Sequence, residues 1–243
     1  MEFNLTNFNK HNKIPKQVHQ TFMSKHLPPD IIKIIQRNQK MCPDYQFIFY
    51  DDDACDSFIQ HHFDETTYHA YKKINPVYGA MKADFFRYCI LYKKGGVYLD
   101  IKSSINYPLN KIIDANDDCL LDIPRSVEFW RKQSPTYEQW ILMFSPQHPY
   151  LFNVIQTMVN LIHQEYEPTI KHINVLTTKQ KIFHVTGPDM FSTCIRNYLK
   201  LNTPLHRHID YYKYFSRCSS NYLNMYTMNK KLHYSQYHEP LYK

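Results

Sequence analysis

The stretch that decides the fold is ADFFRYCILYKKGGVYLDIK, Ala83 to Lys102. Its apolar residues recur at helical spacing as far as Lys93 and Lys94, which suit the C-terminus of a helix. Gly95 can then end the helix in the left-handed conformation. The following run VYLDI is rich in β-branched and aromatic residues. The stretch therefore predicts a helix, a glycine stop and a strand that ends near Asp100.

Strands alternate with helices along the rest of the chain. The predicted strands cover 14–22, 45–50, 119–123, 139–144 and 181–185. The predicted helices, besides 78–94, cover 31–41, 54–63, 64–74, 149–165 and 189–200. This alternation favours an α/β fold with an open, mostly parallel sheet flanked by helices. Ligands bind beyond the carboxyl ends of strands in such sheets, so GGVYLDIK is predicted to be a site.

Length and charge limit the classes of protein that fit. At 243 residues, a single domain over 1–243 is favoured, with a polar flexible lead at 1–13 and a closing segment at 201–243. The formal net charge of +7 fits either a solvated basic surface or a partner rich in phosphate. The longest basic runs are pairs, and no nucleic-acid motif occurs, so a nucleic-acid partner is not expected.

No segment has the composition of a membrane anchor. The N-terminus contains no apolar core of a signal peptide, and no stretch approaches 18 apolar residues. The sequence as it stands therefore predicts a soluble, cytoplasmic chain without a membrane anchor of its own.

Three elements in order carry a resemblance to a known family. They are IPKQVHQTF (14–22), the stretch Ala83–Lys102 and VTGPDMF (185–191). Together they resemble glycosyltransferase family 32, the DxD-type sugar transferases, and more distantly the bacterial glucosylating toxins. Both groups pair an Ala/Ser-Asp-x-x-Arg-Tyr helix with a Gly-Gly-x-Tyr-x-Asp strand. The resemblance implies a GT-A fold with one nucleotide-sugar-binding domain, a UDP- or GDP-hexose donor and retention of the anomeric configuration.

The same resemblance implies roles for individual residues. By themselves, Asp84 and Arg87 would be an ordinary helical ion pair and His19 a buried core histidine. The matching family positions use the Asp for sugar hydroxyls, the Arg for sugar or phosphate oxygens and the Tyr for the nucleotide. The catalytic candidates are therefore Asp84, Arg87 and Asp100. The donor-binding candidates are those three residues together with His19, Gln20, Phe22, Tyr98 and Lys102.

Lys102 departs from the family pattern, which has a second aspartate there and binds Mn²⁺ or Mg²⁺ through the pair. Asp100 and Lys102 are two residues apart, and strand alternation would place them on one face. Three hypotheses follow. Lys102 replaces the metal as a fixed cation, since one carboxylate with one ammonium has the same formal charge as two carboxylates with a divalent ion. Alternatively, Asp100 and His233 still hold a metal, or catalysis is lost.

The resulting prediction is a retaining glycosyltransferase with an Asp-x-Lys motif. It would transfer a hexose from a nucleotide sugar to a glycan, protein or lipid acceptor, with the leaving phosphate assisting the incoming hydroxyl. The alternative is a catalytically silent module that binds nucleotide sugars or glycans on the same fold.

Overall fold

The computed structural model describes residues 14–123, 136–169, 176–217 and 236–243. The strands are β1 Gln17–Thr21, β2 Gln46–Tyr50, β3 Gly96–Leu99, β4 Ser103–Ile105, β5 Cys119–Asp122, β6 Ile141–Phe144, β7 Arg207–Ile209 and β8 Phe215–Arg217. The helices are α1 Pro29–Met41, α2 Asp52–His62, α3 Glu65–Lys73, α4 Gly79–Lys94, α5 Pro149–His163, α6 Thr178–Val185, α7 Pro188–Leu199 and α8 Tyr211–Tyr214, with a 3-10 turn at Leu109–Lys111.

Six of these strands form one mixed sheet in the order β2-β1-β3-β6-β5-β7. β1 is parallel to β2 and β3, and β7 is parallel to β5, whereas β6 is antiparallel to both of its neighbours. β4 and β8 form a separate antiparallel pair. The predicted α/β architecture with a mostly parallel sheet is confirmed.

The two faces of the sheet bury different hydrophobic clusters. Along β3, Val97 and Leu99 belong to one cluster and Tyr98 to the other, as strand alternation requires. Helices α2 to α7 cover the Tyr98 face, while the opposite cluster includes residues of the β4–β8 pair. α4 is buried without interruption from Asp84 to Leu91, so the side chains at its centre are enclosed by protein on every side.

Gly95 and Gly96 join α4 to β3 at a point that only glycine can occupy. Both residues have positive φ, +65° and +96°. A Cβ on Gly96 would lie 2.7 Å from the backbone oxygen of Gln17, and one on Gly95 would lie 2.7 Å from Pro146. The turn therefore lets β3 enter the sheet directly beside β1.

One predicted element is wrong and several were missed. Residues 181–185, predicted as a strand, form the second half of α6. The helix starts at a capping box, in which Thr177 and Gln180 satisfy each other's backbone N–H groups. The short elements β4, β7, α8 and β8 were not predicted.

The end of the chain packs against the junction between α3 and α4. The backbone N–H of Asn75 donates to Leu241 at 2.9 Å, and that of Lys243 donates to Lys73 at 2.9 Å. Leu241 is buried in the main core. In the part of the chain that the structure describes, no helix is long and apolar enough to cross a bilayer.

Candidate active site

A buried ion pair on α4 forms the centre of the candidate site. Asp84 and Arg87 lie one helical turn apart, and Arg87 Nη2 is 3.2 Å from Asp84 Oδ1. Two groups from outside the helix complete the carboxylate. Gln139 Nε2 donates to Oδ1 at 3.1 Å, and the hydroxyl of Thr186 donates to Oδ2 at 3.0 Å. Asp84 is therefore fixed by three partners from three segments of the chain.

The Arg87 guanidinium connects α4 to the end of β3. Its Nη2 lies 3.3 Å from Asp100 Oδ1, and its Nη1 donates to the carbonyl of Gln139 at 2.6 Å. Its central carbon lies 4.6 Å from the centroid of the Tyr98 ring. One cation thus bridges two carboxylates while it stacks on an aromatic face.

Burial and charge act on the two partners in opposite senses. Burial raises the pKa of Asp84 to about 7, although the Arg87 charge and the hydrogen bonds to the carboxylate oppose the rise. Burial alone would lower the pKa of Arg87, but Tyr98, Asp84 and Asp100 outweigh burial and raise it. Arg87 therefore keeps its charge at every relevant pH, and the ionisation of Asp84 is the variable quantity of the pair.

Asp100 and Lys102 lie in a tight turn, so the strand-alternation argument for them is wrong. β3 ends at Leu99, and the N–H of Ser103 donates to the carbonyl of Asp100 at 2.8 Å. The turn leaves the Asp100 side chain 30% exposed. Burial lowers the pKa of Lys102 to about 8, Asp100 opposes that shift, and Arg217 adds to it. Lys102 is thus within electrostatic reach of both residues.

Arg217 adds a second cation that no sequence pattern predicted. The register of β4 with β8 pairs Arg217 with Ser103, the residue after Lys102. The guanidinium lies 4.9 Å from the ring of Trp140 and 3.6 Å from the Glu138 carboxylate. Its side chain is 51% exposed, so it forms an open edge next to the Asp100 turn.

The predicted residues of β1 have different surroundings. His19 is fully buried, and its nitrogens contact the Tyr50 hydroxyl at 3.2 Å and the Gly95 carbonyl at 3.1 Å. Gln20 is also buried, with its amide 3.5 Å from the Leu99 carbonyl. Phe22 follows β1 and is half-buried. In this structure His19 supports the Gly95 turn, and its role in donor binding stays a prediction.

Tyr98 is anchored at both ends of its side chain. Its hydroxyl lies 3.0 Å from Thr21 Oγ1, one ring face meets Arg87, and the residue is 1% exposed. The structure therefore brings Asp84, Arg87, Tyr98 and Asp100 into direct contact, with Lys102 beside them. The contact of Tyr98 with a nucleotide is untested.

The donor set around Asp100 fits an anion clamp better than a metal centre. Asp100 already accepts a contact from Arg87, and the position that would supply a second carboxylate holds a lysine. A divalent ion bound to Asp100 would be repelled by the positive charges of Arg87 and Lys102. Among the described residues, no three His, Cys, Asp or Glu side chains are grouped to hold a metal. His233, the other predicted metal ligand, lies outside the described residues.

Sequence reasoning missed two residues that complete the centre. Gln139 contacts Asp84, Arg87 and the hydroxyl of Tyr88, and no local pattern distinguishes it from a surface glutamine. Thr186 precedes Gly187-Pro188, which was interpreted mainly as a turn. Because Thr186 opens the Thr-Gly-Pro element of the resemblance, its contact with the other motif could have been expected.

Curated proteins with similar sequences include several mannosyltransferases. The chain is 32% identical over 158 residues to a mannosyl phosphorylinositol ceramide synthase of Saccharomyces cerevisiae, covering 64% of this chain and 38% of that protein. It is 30% identical over 153 residues to inositol phosphoceramide mannosyltransferase 3 of Schizosaccharomyces pombe, covering 62% and 38%. The initiation-specific alpha-1,6-mannosyltransferase of Candida albicans is 25% identical over 213 residues, covering 79% and 55%. The chain thus spans well under two thirds of the length of these relatives.

Solved structures with the same fold are glycosyltransferase domains. PaToxG glycosyltransferase superposes with a TM-score of 0.53 at 15% identity, over 78% of this chain and 71% of that one. The ligand-free glycosyltransferase domain of the YGT toxin superposes with a TM-score of 0.56 at 10% identity, over 82% and 80%. This similarity confirms the predicted GT-A fold.

Residues 28–118 match the family model described as a glycosyltransferase sugar-binding region containing a DXD motif. The match includes α4, β3 and the Asp100 turn, where Lys102 replaces the second aspartate of the motif. The family match, the fold and the order of the motifs agree with the predicted resemblance to glycosyltransferase family 32.

Proposed function

We propose that this chain is a single-domain, retaining hexosyltransferase that uses a nucleotide sugar as donor. The observation that carries the proposal is the Arg87 guanidinium, held between Asp84 and Asp100 beyond the carboxyl end of β3. Ligands of open α/β sheets bind at such a position. Burying charges costs several kcal/mol per ion. A charged network buried at this position is therefore better explained by ligand binding than by stabilisation of the fold.

The buried half of the network would orient the sugar. Asp84 can accept hydrogen bonds from sugar hydroxyls when it is ionised, and Thr186 and Gln139 hold its carboxylate in one orientation. The N–H groups of Arg87 can exchange a present partner for a sugar or phosphate oxygen of the donor. Tyr98 restricts the plane in which the guanidinium lies.

The exposed half would bind the diphosphate. Lys102 is an ammonium next to the Asp100 turn, and Arg217 provides a second cation at the same edge. Lysine binds phosphate as a point charge, whereas arginine can bind it in a bidentate manner. Two protein cations can neutralise the charge that develops on a departing nucleoside diphosphate, which is the role of a divalent ion in relatives with two aspartates.

The reaction breaks the bond between the anomeric carbon and the diphosphate oxygen and forms a bond from that carbon to an acceptor oxygen. The acceptor hydroxyl loses its proton to the leaving phosphate, so no protein nucleophile is required. The residues of this chain would position the donor and stabilise the leaving group. Retention follows if the acceptor attacks from the face that the diphosphate leaves.

We further propose mannose as the sugar, with a glycan or a lipid as the acceptor. The support comes from the names of relatives, which include mannosyltransferases of inositol phosphoceramide and an alpha-1,6-mannosyltransferase. A UDP-bound domain of the YGT toxin shares the fold, so the donor base is tested with both UDP- and GDP-sugars.

A panel of UDP- and GDP-hexoses, with nucleotide release followed by mass spectrometry, tests the proposal. We expect one donor to be turned over and Asp84→Asn to reduce turnover by at least a hundredfold. Asp56→Asn, which changes a half-buried carboxylate of α2 that pairs with Lys72, should leave turnover unchanged. Full turnover by Asp84→Asn would remove the site from the reaction. Each donor is also tested by thermal shift, without and with candidate acceptors.

A silent binding module is the second candidate, favoured by Lys102 in the place of a catalytic-motif aspartate. It predicts a thermal shift with one donor, no release of nucleotide with any acceptor, and loss of that shift in Asp84→Asn. A donor that binds equally well to the wild type and to Asp84→Asn would show that Asp84 is not part of the donor site, in an enzyme or in a binding module.

A further inference from the structure

Two histidines face each other on the edge strand of the sheet, away from the sugar site. His208 lies in β7, and His206 is the residue immediately before this strand. The two are two residues apart, so their side chains project from the same face of an extended segment. Their Nε2 atoms are 3.1 Å apart. β7 is three strands removed from β3 in the sheet order, and His208 is exposed.

Each imidazole is oriented through its other nitrogen. His206 Nδ1 is 2.8 Å from the Tyr150 hydroxyl, which accepts a hydrogen bond from the Leu205 N–H at 3.0 Å. His208 Nδ1 is 3.2 Å from the Asp122 carbonyl, and since a carbonyl only accepts, this nitrogen carries the proton. Histidines that bind metals almost always have such a partner on the second nitrogen, which fixes the ring and its tautomer. Here both rings have one.

The relative placement of the rings fits convergence on a shared ion. Their centroids are 4.5 Å apart and their planes are inclined at 83°. A straight N–H···N hydrogen bond of the same length would separate the centroids by about 5.4 Å. Two imidazoles that each direct Nε2 at an ion ~2.1 Å away would have centroids about 4.7 Å apart. The observed separation is closer to the second arrangement.

We propose that His206 and His208 form a two-histidine site for a late first-row divalent metal ion, either Zn²⁺ or Cu²⁺, with water in the remaining coordination positions. Imidazole nitrogens suit these ions, and Cu²⁺ binds most tightly in the divalent series. Within the described ranges no third His, Cys, Asp or Glu joins the pair, so the site is open and its affinity is moderate.

The hydrogen-bond partners of the two rings assign the positions of their protons. In the empty site His206 Nε2–H donates to His208 Nε2. When the ion binds, the His206 proton moves to Nδ1, where the Tyr150 hydroxyl accepts it. The number of protons on the two rings does not change.

Titration of the full chain with Cu²⁺, followed by electron paramagnetic resonance, tests the proposal. We expect a signal with two equatorial nitrogens in the wild type and one in His208→Gln, with at least tenfold weaker binding of Cu²⁺ and of Zn²⁺ by calorimetry. His61→Gln is the matched control, because His61 is also exposed and bonded through Nδ1 to a carbonyl, but has no facing imidazole. His61→Gln should behave as the wild type.

Two further variants keep the result interpretable. His206→Gln should lose the site as His208→Gln does, and circular dichroism shows whether either variant is folded. Tyr150→Phe keeps both ligands but removes the hydroxyl behind His206, and we expect about a tenfold loss of affinity. Binding by His208→Gln that equals the wild type, or a wild-type signal with a single nitrogen, would overturn the proposal and leave the pair as a hydrogen bond only.

Discussion

The two halves of the candidate sugar site are built on different physical principles. The Asp84–Arg87 half is enclosed by α4, α6 and the segment before β6, and its charges balance one another at a distance of 3.2 Å. The Lys102–Arg217 half places two cations, each near a carboxylate, at an edge where the Arg217 side chain is 51% exposed. The buried half can fix geometry because its partners cannot be replaced by water. The open half can change partners when an anion arrives.

The largest expected effect contrasts the arginines of the two halves. Arg87→Met removes the cation between two carboxylates and should destabilise the fold by about 3–5 kcal/mol, because a buried charge loses its partner. Arg217→Met removes a half-exposed ion pair and should change stability by less than about 1 kcal/mol. Urea denaturation of both variants measures the difference. Equal losses would show that the halves are not distinct.

The next effect concerns the hydroxyl that holds Asp84. Thr186→Val is nearly isosteric but leaves Asp84 Oδ2 without its donor, so we expect a loss of about 1–3 kcal/mol in the free energy of unfolding. Thr193→Val is the control on α7, where the exposed hydroxyl donates to the Asp189 carbonyl and accepts from Arg196, both on its own helix. The control should stay within about 0.5 kcal/mol of the wild type. A neutral Thr186→Val would mean that the carboxylate is satisfied without it.

The open half should give the site a basic limit in pH. Because the pKa of Lys102 is lowered to about 8, its charge disappears as the pH rises through that value, and binding of the diphosphate should weaken with it. We expect kcat/KM for the donor to fall up to tenfold per pH unit above pH 8. Lys102→Arg keeps its charge over this range and should remove the fall. A decline unchanged in Lys102→Arg would assign the limit to another group.

The smallest effect concerns α6, the helix that leads into Thr186. Thr177→Ala removes the hydroxyl that accepts from the Gln180 N–H and should cost about 1 kcal/mol of stability. The loss should be the same with and without donor, since Thr177 does not contact the site. Thermal unfolding in both conditions measures it. A loss that appears only with donor bound would couple this cap directly to the site.

The residues of both halves that lie in one short stretch were predicted from the sequence, and those that come from distant segments were missed. Asp84, Arg87 and Asp100 lie within a short stretch whose periodicity and glycines define α4, its stop and β3. Arg217 and Gln139 come from segments far along the chain, and each is positioned by a strand pairing that local pattern does not encode. The pairing of β8 with β4 positions Arg217, and the pairing of β6 with β3 positions the segment that contains Gln139.

The errors have physical causes of the same kind. The segment 181–185 was predicted as a strand because its short apolar run has no distinctive period, while the capping box at Thr177 and Gln180 starts a helix. The face shared by Asp100 and Lys102 was inferred from strand alternation, but the strand ends at Leu99. Their proximity depends on the turn instead.

The central claim is that protein cations at the Asp100 turn take the place of a metal ion during sugar transfer. The most direct measurement is nucleotide release from the active donor in manganese and then in EDTA, for the wild type, Lys102→Ala and Lys102→Arg. All three carry His208→Gln, which separates the sugar site from the proposed histidine site. We expect release by the protein with Lys102 to survive EDTA, Lys102→Ala to lose about a hundredfold, and Lys102→Arg to retain much of the activity. Release that requires manganese and is indifferent to Lys102 would contradict the claim.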